Sequence, residues 1–141
     1  MECELCDFKS PRIIKEYKFW ILSAAAQTPL GWMHVILKRH AEFFDELTQE
    51  ELEELKEVVR EARAALDKIW KPDWFNVTQL GNTCPHLHVN LIPRYKEKRE
   101  FAGREFVDAT FGGGVESEEI GEEMVEKVRG EIKDAAVVMR R

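Results

Sequence analysis

The chain has 141 residues, 44% of them hydrophobic and 34% charged, a composition that suits one soluble globular domain with a single core. Its formal charge of −6 argues against general nucleic-acid binding, which needs clustered Lys and Arg against phosphate; a small anionic ligand needs only a local pocket. No apolar run approaches the roughly 20 residues required to cross a bilayer. The acidic start MECELCDF lacks a signal-peptide core, so a cytoplasmic location with reduced thiols is expected.

In chain order, Cys3 and Cys6 form a C-x-x-C pair, which in a reducing compartment reads as a metal site or a redox motif. Residues 13–25, IIKEYKFWILSAA, are rich in β-branched and aromatic side chains and predict two short strands. QTPLG makes a turn, with Pro29 and Gly31 as punctuation, and WMHVILKR, 32–39, reads as a third strand. Thr48 and Glu51 have capping-box spacing, and behind them Leu52, Leu55, Val59, Ala62, Leu66 and Ile69 form the apolar stripe of a helix that Pro72 closes. WFNVTQL, 74–80, is a further strand, and GNTCP a loop leading into CPHLHVNLIPR, 84–94.

In that last stretch Leu87, Val89 and Leu91 alternate with His86, His88 and Asn90, so a strand there buries aliphatics on one face and aligns two imidazoles and an amide on the other. Pro93 is expected to end the strand. Residues 96–116 read either as a substrate-covering segment or as a polar excursion, with FGGGVES, 111–117, as a flexible connection. A last helix is expected from about Ser117 to 139, with Glu118 and Glu119 in its first turn and Ile120, Met124, Val128, Ile132 and Ala135 on its buried stripe. Strands, helix, strands, helix is the order of an α+β domain, an antiparallel sheet with helices packed on it.

The residues themselves suggest two chemistries. A neutral imidazole is a competent nucleophile at physiological pH, and attack on phosphorus needs preorganised donors for the phosphate oxygens. Asn82, Thr83, Asn90 and the backbone amides around Gly81 are placed to supply them. Separately, Cys3 and Cys6 can chelate zinc if two of His34, His40, His86 and His88 complete the shell. His34 shares parity with Trp32 and Ile36 and reads as packing, whereas His40 stands at a strand end. Cys84 reads as inertly buried.

HLHVNLIPR with the upstream GNTCP resembles the active-site motif of the histidine-triad (HIT) nucleotide-binding superfamily, His-x-His-x-His before two apolar residues. GWMHVILKRH is similar to that family's strand ending in Pro-Lys-x-His, and ECELCDF to the start of its zinc-bearing members. The likeness covers residues 3–106. It implies a HIT-like α+β fold of about five antiparallel strands, one long helix and a carboxy-terminal helix. By position it makes His88 the nucleophile that takes the nucleotidyl group and places Asn76, Gly81, Asn82, Thr83 and Asn90 around the phosphate. It also makes Cys3, Cys6, His40 and His86 the ligands of a structural zinc. A homodimer acting on a small nucleotide is the implied assembly.

Three positions depart from the family pattern. Asn90 stands in place of the third histidine, where the galactose-1-phosphate uridylyltransferase branch carries glutamine. Ala24 replaces the aspartate that binds ribose, and Leu37 the proline. The expectation is therefore a nucleotide hydrolase or nucleotidyltransferase working through His88. The alternatives are a zinc-stabilised nucleotide- or phosphate-binding module without significant catalysis, and a hydrolase in which His86 and His88 both ligate a catalytic zinc.

Overall fold

The computed structural model describes residues 3–139, with side chains through 136. Its main sheet is antiparallel and has five strands: β1 (Ile13–Glu16), β2 (Trp20–Ala24), β3 (Met33–Leu37), β4 (Trp74–Thr78) and β5 (His88–Arg94), in the spatial order β1-β2-β3-β5-β4. Two helices, α1 (Gln49–Ile69) and α2 (Glu122–Met139), pack on each other and on the sheet. This is the α+β architecture that the element order predicts.

The pleat sorts the side chains. Trp20, Leu22 and Ala24 of β2, Met33, Val35 and Leu37 of β3, and Leu87, Val89 and Leu91 all turn to one side, where they meet Leu55, Val58, Ala62 and Leu66 of α1 and Val125, Val128 and Ile132 of α2. Ser23, His34, Ile36, His88 and Asn90 share the opposite side, because β2–β3 pairing sets Ser23 against His34 and β3–β5 pairing sets His34 against Asn90 and Ile36 against His88. The helices stabilise one face; the other is free for chemistry.

The helix α1 starts as expected: Thr48 Oγ1 accepts from the Glu51 amide at 3.1 Å, and a Glu51 carboxylate oxygen accepts from the Thr48 amide at 2.8 Å. Its fully buried stripe is rotated by one position from the expected one, with Val58 and Ala65 inside while Val59 and Ile69 are only half covered. Glu51 is itself buried, because Arg39 reaches over it with contacts of 2.7 and 2.9 Å.

Elsewhere the expected boundaries move. The strand expected over 32–39 is shorter, and the one expected after the 81–85 loop begins only at His88, because Leu87 still bonds to the 37–41 segment: its amide donates to Ala41 O at 2.7 Å and its carbonyl accepts from Leu37 N at 3.2 Å. Pro93 does not end β5 but lies inside it, opposite Phe75. β3 accompanies β5 only as far as Leu91, so a residue without an N–H is tolerated beyond that point.

The last helix begins at Glu122 instead of near Ser117. Glu118 O accepts from Thr28 N at 3.0 Å and Ile120 N donates to Ala26 O at 3.1 Å, which holds 118–120 extended, and Gly121 then turns with φ +80°. Residues 96–116, expected as a substrate-covering segment or a polar excursion, contain a second small sheet, β6 (Arg99–Phe101) with β7 (Arg104–Phe106). Arg99 ties this hairpin to the end of α1, donating to Trp70 O at 2.7 Å and to Lys71 O at 2.9 Å.

Candidate metal centre and histidine cleft

The three alternating polar residues before Pro93 go to three different partners. His86 precedes β5, is wholly buried, and donates from Nε2 to the Leu37 carbonyl at 2.6 Å. That contact fixes the tautomer and leaves Nδ1 with its lone pair. His88 does the reverse: its Nδ1–H donates to the His86 carbonyl at 2.7 Å, so Nε2 is the nitrogen left without a proton. Asn90 is buried, and its Oδ1 accepts from the Trp32 indole N–H at 3.1 Å. Because an indole can only donate, the amide N–H groups of Asn90 are the ones left for other partners.

Around His86 Nδ1 the sulfurs of Cys3 and Cys6 lie at 3.3 and 3.6 Å, and His40 Nδ1 at 3.2 Å; Cys6 Sγ is 3.5 Å from His40 Nδ1. All four donor atoms fall within 4.8 Å of one another. A tetrahedral zinc has bonds of about 2.0–2.1 Å to nitrogen and about 2.3 Å to sulfur, which gives edges of roughly 3.3 Å between nitrogens and roughly 3.6 Å between nitrogen and sulfur. The observed separations are those edges. Cys3, Cys6, His40 and His86 can therefore bind a metal ion, and the donor set suits zinc.

The thiols differ in their surroundings. Burial works to raise Cys3, but the amides of Leu5 and Cys6 and then the Cys6 and His40 side chains outweigh it and bring the thiol down to about 6. Burial, followed by the neighbouring Cys3 sulfur, pushes Cys6 and Cys84 upward. His40 is raised by its contact with Cys3 and then by Glu42. Cys84 is not the inertly buried residue expected: it is half exposed, with its sulfur 4.0 Å from that of Cys3.

His88 faces a cleft of about 300 Å³ on the sheet face away from the helices. One wall is sheet (Ser23, Ala24, His34, Ile36), and the other is the amino-terminal segment that the C-x-x-C turn holds down, including Phe8, Ser10 and Arg12. The His34 ring meets the His88 ring edge-on, with centroids 6.2 Å apart. Burial first, then His88 and Arg12, lower His34 to about 4, so it is neutral at physiological pH. His34, expected as packing, thus lines the cleft. Arg12, Ser10 and Ser23 were missed as well; only their place in the fold reveals them.

Not every expected site residue converges on His88. Thr83 is exposed and lines a different depression, with Cys3, His40 and Glu42. Asn82 is exposed on the same loop, and Gly81 supplies its turn with φ +84°. Asn76 lies in β4 opposite Ile92, four positions along β5 from His88, roughly 13 Å away at 3.3 Å per residue. Its Oδ1 is taken by Arg94 at 2.8 Å. Arg94 is almost fully buried and also grips Asp108 at 2.7 Å and the carbonyls of Thr110 and Gly113 at 2.6 and 3.0 Å. In this structure Asn76 belongs to that hub.

Comparison with known proteins follows the same lines. The family model described as HIT domain matches residues 13–97. The fold is similar to a hypothetical histidine triad nucleotide-binding protein from Sulfolobus tokodaii strain 7, at TM-score 0.76 and 21% identity over 99% of this chain and 95% of that one. A Zn-bound histidine triad family protein from Mycobacterium smegmatis superposes at TM-score 0.71 with 16% identity, covering 99% and 96% of the two chains. A uridylyltransferase matches at TM-score 0.68 and 20% identity over 96% of this chain but 44% of its own. No curated protein sequence matches the chain.

Proposed function

The chain belongs to the HIT domain family, and from that premise we propose that it is a nucleotide hydrolase or nucleotidyltransferase. It acts on a phosphoanhydride or related nucleoside-phosphate bond through a covalent nucleotidyl group on His88. The single observation that carries this reading is the His88 tautomer: Nδ1–H is committed to the His86 carbonyl at 2.7 Å, which leaves the lone pair on Nε2 of a residue that lines the cleft. In the proposed reaction Nε2 attacks the nucleotide phosphorus and the leaving phosphate departs as an anion. The free amide hydrogens of Asn90 are suited to donate to a phosphoryl oxygen, and the amides and hydroxyl of the Gly81, Asn82 and Thr83 loop to receive one if substrate draws that loop inward.

Cys3, Cys6, His40 and His86 hold a structural zinc in this proposal. When bound, zinc supplies four strong bonds that cross-link the amino terminus to the chain entering β5. The sulfur and nitrogen donors close the coordination shell, which disfavours a catalytic metal with an open position, and His88 faces the cleft instead. Such thiolates suit the reducing cytoplasm. No helix among the described residues is long and apolar enough to cross a membrane.

The test is a panel of dinucleoside polyphosphates and nucleotidyl amidates mixed with pure protein, with intact-mass analysis under alkaline quench to preserve a P–N bond. A nucleotidyl adduct on wild type that disappears in His88→Ala supports the proposal. No adduct and no turnover with any substrate would sink it. Nucleotide binding that survives in His88→Ala without wild-type turnover would instead favour the non-catalytic binding module, which Ala24 and the unprotonatable Asn90 motivate.

A further inference from the structure

We propose that His34 is a further catalytic residue of the cleft: its ring N–H donates to a phosphoryl oxygen of the group on His88, so that the third imidazole of the site comes from β3 and not from β5. The inference rests on the covalent His88 reading above and names a residue that acts in it.

The strand register builds the arrangement. Asn90, at the third position of the motif, faces His34 across the β3–β5 pairing, and His88 faces Ile36. His34 is thus the diagonal neighbour of His88 on the helix-free side of the sheet, and both residues line the cleft. Their rings meet edge-on at 80° with centroids 6.2 Å apart. That spacing is too wide for a direct hydrogen bond between the rings and admits one oxygen between them. Among the described residues, His34 makes ring contacts with Trp32 and His88 and no hydrogen bond. No fully occluded side-chain nitrogen or oxygen among them lacks a partner, so the nitrogens of this half-buried ring are reachable. An imidazole in that state is a donor that a ligand can satisfy.

Position decides the role. Displacement at phosphorus sets the attacking and leaving groups roughly in line, so the remaining phosphoryl oxygens project sideways from that axis. His34 stands beside His88 on the adjacent strand, not beyond it. It therefore suits an oxygen at the side of the phosphorus and not a base for the attacking or leaving group. Asn90 flanks the same region, with Oδ1 held by the Trp32 indole at 3.1 Å and its amide hydrogens free.

Charge fits the same role. As Nε2 attacks, the N–P bond forms, and the bond to the leaving group breaks with its electron pair on that group. The His88 ring, still carrying Nδ1–H, becomes cationic. A second cation beside it would oppose the step. Burial first, then His88 and Arg12, hold His34 down to about 4, so at physiological pH it offers an N–H without a charge and keeps its proton throughout.

The test uses nucleoside 5′-phosphorimidazolides of A, C, G and U, whose leaving group is a simple imidazole. Single-turnover formation of the His88 adduct is followed by intact mass under alkaline quench. His34→Leu keeps the bulk and loses the N–H, whereas His34→Gln keeps an N–H donor. At saturating donor, His34→Leu is expected to slow adduct formation about a hundredfold with metal content unchanged, and His34→Gln to stay within about tenfold of wild type. A packing role would order the two variants the other way. Equal rates in wild type and His34→Leu, or His34→Gln slower than His34→Leu, overturn the assignment of His34 and leave the covalent reading standing. No adduct on wild type with any donor sinks the covalent reading, and the role of His34 with it. Should His34→Leu fail to fold, ring-labelled wild type decides by NMR. The His34 N–H proton should move downfield at saturating donor, and an unmoved proton in a protein that carries the adduct overturns the proposal.

Discussion

Two histidines separated by one leucine leave opposite nitrogens free, and the backbone decides which. His86 gives its Nε2 proton to Leu37 O and presents Nδ1 to two sulfurs; His88 gives its Nδ1 proton to His86 O and presents Nε2 to the cleft. Their substitutions should therefore part company. His86→Ala is expected to remove bound metal and to cost about 3 kcal/mol or more, because it empties a fully buried, hydrogen-bonded site. His88→Ala should keep full metal content and stay within roughly 1 kcal/mol of wild type. Metal analysis beside urea unfolding checks both. The motif and the C-x-x-C pair were legible in the sequence because their spacing is local. Arg12 and His34 were not, since their proximity to His88 arises from strand register and from the path of the amino-terminal segment.

Among the elements, α1 depends on a buried carboxylate at its first turn. The Arg39 contact, offset by burial and assisted by the Thr48 amide, holds Glu51 down to about 2. A carboxyl whose folded pKa is depressed contributes its stability fully above the unfolded value, about 4.3, and loses it as pH falls toward 2. Glu51→Gln should thus lower stability at pH 7 by about 1–2 kcal/mol and flatten the acid limb between pH 4.5 and 2, as melting curves at a series of pH values would show. The Arg94 hub joins β4, β5 and the 108–113 loop. Asp108→Ala leaves a buried guanidinium without its carboxylate and is expected to cost about 3–5 kcal/mol, measured by denaturant unfolding. Neither α2's start nor the β6–β7 hairpin was legible. The first is set by pairing with residues 26–28, distant in sequence. The hairpin turns on Ala102 and Gly103, both at positive φ, where alanine in place of the usual Asn or Asp hides the turn signal.

At the scale of the molecule, the helix-covered core was legible from alternation and helical period, but the exposed edge was not. β4 ends the sheet, with Trp74 65% and Val77 56% exposed beside Lys56, Arg60 and Arg63 of α1. An uncovered edge strand bearing apolar side chains invites a second copy, the homodimer implied by the family likeness. Val77→Lys is expected to shift sedimentation from dimer to monomer while leaving metal content unchanged; a wild type that sediments as a monomer at high concentration would remove the dimer.

The two sulfurs of the sulfur–imidazole cluster and the amino-terminal wall of the cleft belong to a single ten-residue stretch, Cys3 to Arg12. Whatever fixes that stretch at one end lowers the entropy cost of ordering it at the other. Reciprocity then requires nucleotide to tighten ion retention by the same factor that the ion tightens nucleotide. On the proposed function, saturating nucleotide should raise the chelator concentration needed to strip half of the ion, as metal analysis across a chelator series would show.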